Sequence, residues 1–109
     1  MKEKEKIKNL IKNHKAILKA TDMDVAESMK GQWFFTRYNK ENDYYDALIR
    51  FETADELAEI ILGELASDIF ATIERDTSDI EQGQNLADDL ELHVNYAPHI
   101  ERLLAYLGK

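Results

Sequence analysis

Apolar residues recur at helical spacing near the start of the chain. Ile7, Leu10, Ile11, Ile17 and Leu18 form a stripe, with His14 beside it. That period predicts one amphipathic helix over 2–20, with Lys2, Lys4, Lys6, Lys8, Lys12, Lys15 and Lys19 on the remaining surface. Thr21 or Asp22 is placed to cap a second, short helix through Met29, and Gly31 stands where a left-handed helix end wants glycine. From residue 32 the pattern changes. QWFFTRYN is rich in strand formers, KEND is polar, and YYDALIRFE follows, which predicts a β-hairpin without the Asn-Gly of a tight turn. Neighbouring side chains on a strand face opposite ways, so Trp33 and Phe35 share one face while Phe34 and Tyr38 share the other. Both faces are thus partly apolar. Helices must cover one, and the other must be covered or used.

Thr53-Ala-Asp-Glu56 is a capping box, with Thr53 capping and Glu56 reaching back. It opens the strongest helical pattern, 54–75. Leu57, Ile61, Leu65, Ile69 and Ile73 climb one side, and Ala54, Ala58, Leu62 and Ala66 widen it, so this is the expected core helix. Glu56, Glu59 and Glu74 fall on the opposite face. A second box, Ser78-Asp-Ile-Glu81, predicts a helix towards residue 88. Over 90–96 two periods compete. Leu90, Leu92, Val94 and Tyr96 alternate as in a third strand, while Leu86, Leu90, Val94 and Ala97 fit a helix ending before Pro98. The helical pattern is preferred. Pro98 suits the first turn of a last helix whose apolar face is Ile100, Leu103, Leu104 and Leu107. The expected fold class is α+β.

Composition narrows the picture. A chain of 109 residues is one domain by length, and 44% hydrophobic content supplies a core. Without cysteine there is neither a disulfide nor a thiolate metal site. The opening MKEKEKIKNLIKNHK lacks the apolar run of a secretory signal, and no stretch is apolar enough to span a membrane, so the expected compartment is the cytoplasm.

Charge is distributed unevenly. Sixteen of the twenty-two carboxylates lie between Glu41 and Glu91, where the only basic residues are Arg50 and Arg75, a formal −14. The first forty residues carry ten Lys/Arg against five Asp/Glu, a formal +5. Asymmetry of this size bears on partners rather than on fold.

Candidate chemistry is sparse. His14, His93 and His99 form no metal motif; the last two are six apart, and residues at that spacing meet neither on one helix face nor across one ion in a strand. Glu56-x-x-Glu59 followed by Asp76 and Asp79 resembles, in spacing, the Mg²⁺-holding carboxylates of helical nucleotide pyrophosphatases of the MazG and dimeric dUTPase type. That resemblance implies an all-carboxylate magnesium site. The sequence departs from it where Asp76 and Asp79 flank an expected loop and Glu56 and Glu59 fall on the polar face, away from any core cavity. No G-x-S-x-G, G-x-x-x-x-G-K-[ST] or G-x-G-x-x-G occurs. The lysine-rich first helix has no arginine or aromatic residue to read or stack on bases, so direct nucleic-acid binding is not expected, and neither is membrane binding. Seven of the ten aromatics lie in the hairpin: Trp33, Phe34, Phe35, Tyr38, Tyr44, Tyr45 and Phe51. Those not needed for the core are interface material.

The resulting reading is a small acidic, non-catalytic, protein-binding domain with no metal and no cofactor. Its expected partner-binding residues are Glu56, Glu59, Glu74, Asp76, Asp79, Trp33, Tyr38 and Tyr44, and its expected partner is a protein with a basic surface, or a second copy of the chain. In size and charge it resembles the small antirestriction and anti-CRISPR proteins of phages and mobile elements. The resemblance implies an inhibitor whose carboxylates imitate a phosphate backbone in the basic groove of a nucleic-acid enzyme. The alternatives are an immunity or regulatory partner of a basic protein, and the magnesium pyrophosphatase.

Overall fold

The computed structural model describes residues 2–78 and 86–108, with side chains described over 2–71 and 95–108. Helices α1 (Glu3–Asn13) and α2 (Lys15–Ala20) are followed by strands β1 (Met23–Glu27), β2 (Trp33–Asn39) and β3 (Tyr44–Phe51), then by helices α3 (Ala54–Ser78) and α4 (Leu86–Tyr106). The architecture is α+β, with one antiparallel three-stranded sheet in the order β1-β2-β3. The chain divides into two compact units, Met1–Ile60 and Ile61–Lys109.

In the first unit the expected N-terminal helix forms, but in two pieces. His14 leaves helical geometry, at φ −115° and ψ 16°, and separates α1 from α2. The apolar stripe continues across the break, because Ile7, Leu10, His14, Ile17 and Leu18 are all buried. Thr21 ends α2, its Oγ1 donating to the Ile17 carbonyl at 2.7 Å. Asp22 then takes a left-handed φ of 58°, which a short polar side chain tolerates better than most.

That turn overturns the expected second helix. Residues 23–27 form β1, paired antiparallel with β2 from Met23↔Arg37 to Glu27↔Trp33. As a strand, the segment buries Met23 and sets Val25 opposite Phe35, so cross-strand packing outweighs local propensity. Gly31 is left-handed as expected, at φ 79°, but it serves the β1–β2 turn. There the Ser28 hydroxyl accepts from the backbone N–H groups of Lys30 and Gln32.

The hairpin closes through 40–43. Asp43 is left-handed at φ 56°, and the Asn39 side chain accepts from the Asn42 N–H at 3.1 Å. Pairing runs from Trp33↔Phe51 to Arg37↔Ala47, then resumes at Tyr38↔Tyr45, leaving Asp46 as the extra residue of a β-bulge. The inner sheet face buries Met23, Phe35 and Phe51. At its margin Trp33 is half-buried against Phe51, ring centroids 6.3 Å apart. Ala54, Leu57 and Ala58, from the start of α3, are also buried.

The capping box forms at the head of α3. The Glu56 N–H donates to Thr53 Oγ1 at 3.2 Å, while the Glu56 carboxylate accepts from the Glu52 N–H, one residue before the expected partner. The first helical N–H, of Ala54, donates to Glu3 Oε2 at 2.8 Å, so a carboxylate on α1 sits at the positive end of α3.

In the second unit Ile61 and Leu65 of α3, and Tyr96 and Leu103 of α4, are buried. The Tyr96 hydroxyl donates to Asp68 Oδ2 at 3.0 Å, tying α4 to α3. Residues 90–96 are helical, so the alternating pattern there does not make a third strand; that strand is 23–27. The helix also does not end before Pro98, which lies inside α4. Burial, and then the charge of Arg102, hold His99 below its ordinary value. The expected capping box Ser78–Glu81 lies outside the described residues except for Ser78, the last residue of α3.

Candidate protein interface

The outer face of the sheet follows from the strand register. Row by row it carries Ala26, Phe34 and Arg50, then Asp24, Thr36 and Leu48, then the pair Tyr38 and Tyr45. Leu48 is 69% exposed and Tyr45 is 60% exposed, while Phe34 and Tyr38 are half-buried. Single exposed apolar side chains are ordinary, but four on adjoining rows of one face are a patch.

The bulge builds part of that patch. By simple alternation from Phe51 and Ile49, Tyr45 would project from the inner face. The extra residue Asp46 reverses the parity and brings Tyr45 opposite Tyr38 on the outer face. The two rings meet edge to face, with centroids 5.2 Å apart, a favourable aromatic geometry. Asn39 holds the extra residue by donating from Nδ2 to the Asp46 carboxylate at 3.3 Å.

Carboxylates flank the patch along the chain. Glu41, Asp43, Asp46, Glu52, Asp55, Glu56 and Glu59 are all exposed, and Arg50 is the one basic residue from 41 to 59. Arg50 stands 3.9 Å from Glu52 and is more than half exposed, a contact of little energetic weight. Lys40, at the end of the hairpin, is paired with Asp22 at 2.9 Å.

The structure does not gather the expected site residues on this one face. Tyr38 lies on the outer face. Tyr44 is 52% exposed at the hairpin end, opposite Asn39 and turned away from Tyr38. Trp33 belongs to the inner-face register with Phe35 and Phe51. Glu56 and Glu59 are exposed on the first turns of α3. The side chains of Glu74 and Asp76, and the whole of Asp79, lie outside the described residues. Phe34, Tyr45 and Leu48, which complete the patch, are not among the expected site residues. Phe34 was legible from alternation, while Tyr45 was hidden by the bulge.

Among the described residues no group of three or more His, Asp or Glu is placed to hold a metal ion. Among them, too, no helix is long and apolar enough to cross a membrane. No protein-family model matches the chain, and no characterised protein or solved structure is similar to it.

Proposed function

We propose that this chain is a small acidic, non-catalytic protein-binding domain whose contact surface is the outer sheet face. The observation that carries the reading is the coincidence of an uncovered aromatic and aliphatic patch with seven exposed carboxylates in the same stretch of chain. The patch supplies apolar area that association removes from water. Arg50 and the tyrosines on it are residue types favoured at interface centres. The carboxylates select a basic partner and speed its approach. In its sharper form, the partner is a nucleic-acid enzyme and the domain an inhibitor occupying its basic groove. Glu56 and Glu59, with Glu74, Asp76 and Asp79, then stand in for backbone phosphates. The formal −14 between Glu41 and Glu91 supports this form.

The test is capture from lysate of the native host, comparing the parent with a Tyr45→Ala/Leu48→Glu variant. The proposal requires a basic protein held by the parent, lost from the variant, and released as salt rises to screen exposed charges. Elution of that protein by duplex DNA supports the groove-occupying form. Retention by both baits, or insensitivity to salt, overturns the proposal. Sedimentation of the free domain as a dimer that the variant abolishes would assign the face to self-association instead.

A further inference from the structure

A groove of about 540 Å³ runs between the two N-terminal helices and strand β1, wholly within the first unit. Its volume is that of an ordinary ligand cleft. The floor is apolar: Leu18 and Met23 are buried at its base, and Ile11 and Val25 are half-buried along it.

The rim is cationic. Lys8, Lys12, Lys15 and Lys19 line the groove, and all four are exposed. Lys8 and Lys12 stand one turn apart on α1, and Lys15 and Lys19 one turn apart on α2, on either side of the break at His14. None of the four has an ion-pair partner among the described residues, whereas Lys4, Lys6 and Lys40 each have one. Asp24 is the one acidic residue of the lining. Its Oδ1 accepts from the Val25 N–H at 2.8 Å. In the β1–β2 ladder the Ser28 N–H donates to the Gln32 carbonyl and the Tyr38 N–H to the Asp22 carbonyl, so even-numbered residues of β1 bond to β2. The Val25 N–H therefore points to the open edge of the sheet, where Asp24 occupies it. That contact blunts strand addition beside the groove.

We infer that this groove is a second binding site, one that takes an acidic amphipathic helix of a partner protein. Several carboxylates at one-turn spacing match the lysine row, and a helix bearing them presents an apolar stripe to the floor. A fatty acid would satisfy one lysine and leave the rest unmatched. A nucleic acid has no apolar stripe for the floor, and the lining holds no aromatic residue on which bases stack. The site is distinct from the outer sheet face, and opposite in charge.

The probe is a fluorescent synthetic peptide of about 18 residues, with Leu at i, i+3, i+4 and i+7 and Glu beside them, titrated into the full chain by anisotropy. Controls are the same residues scrambled, a single-stranded oligonucleotide and oleate. Binding of the patterned peptide is expected, weakened about tenfold or more by Lys12→Glu/Lys15→Glu and less than about twofold by Lys2→Glu/Lys30→Glu, which changes net charge equally outside the groove. Ile11→Asn is expected to weaken it as well, and Tyr45→Ala/Leu48→Glu to leave it unchanged. No binding below about 1 mM overturns the inference, as does equal weakening by the two double variants or equal binding of the scrambled peptide. Tighter binding of the oligonucleotide or of oleate overturns it too. Unchanged circular dichroism establishes that each variant is folded.

Discussion

Phe35 and Leu48 sit on neighbouring strands, and truncating each to alanine separates the two faces of the sheet. Phe35 is fully buried at the centre of the inner face. Phe35→Ala removes a ring and leaves a cavity, a change that costs about 3–5 kcal/mol. Leu48 keeps 69% of its surface in the folded chain, so only about a third of the transfer energy of a buried leucine is at stake. Full burial contributes about 1.5–3 kcal/mol, so Leu48→Ala should cost about 0.5–1 kcal/mol. At about 4–8 °C per kcal/mol, the two thermal midpoints should fall well apart. Urea unfolding followed by circular dichroism, at several protein concentrations, measures both. Equal destabilisation by Leu48→Ala and Phe35→Ala would refute the assignment of the two faces. A Leu48 cost that grows with protein concentration would show that a second copy covers the face in solution.

Two further outcomes follow from single contacts. Glu3→Gln should lower stability by about 0.3–1 kcal/mol, because it removes a negative charge from the start of α3, whereas Glu5→Gln, which shares the first turn of α1, should cost less; equal effects would mean the cap contributes nothing. His99 is held below its ordinary value, so the folded chain binds fewer protons than the unfolded chain from the ordinary imidazole range down to the folded value. Stability is therefore full above that range and declines as pH falls through it. A urea titration at pH 7 and pH 5 should show a smaller decline for His99→Gln than for the parent, and identical declines would refute the assignment.

Much of this fold is legible in the chain. The period of Ile7, Leu10, His14, Ile17 and Leu18 predicts the buried stripe that the structure shows, though not the break at His14 that divides it between two helices. Thr53 and Glu56 mark the start of α3, and the alternation of Trp33, Phe34 and Phe35 assigns sheet faces correctly. These are local signals, set by helical and strand geometry that the residues carry with them. Other features depend on what lies across from a segment. Residues 23–27 carry a helix-like composition and become a strand because β2 offers an edge to pair with and a place for Met23. Residues 90–96 alternate like a strand but also fit the preferred helical period of Leu86, Leu90, Val94 and Ala97, and the structure settles them as helix, with Tyr96 buried and bonded to Asp68 on α3. The same holds for the two proposed surfaces. Four lysines at helical spacing look like a solubilising face until Ile11, Leu18, Met23 and Val25 are brought beneath them. Tyr45 joins the outer patch only through the bulge at Asp46, since one extra residue reverses the side-chain parity of a strand and nothing local announces it.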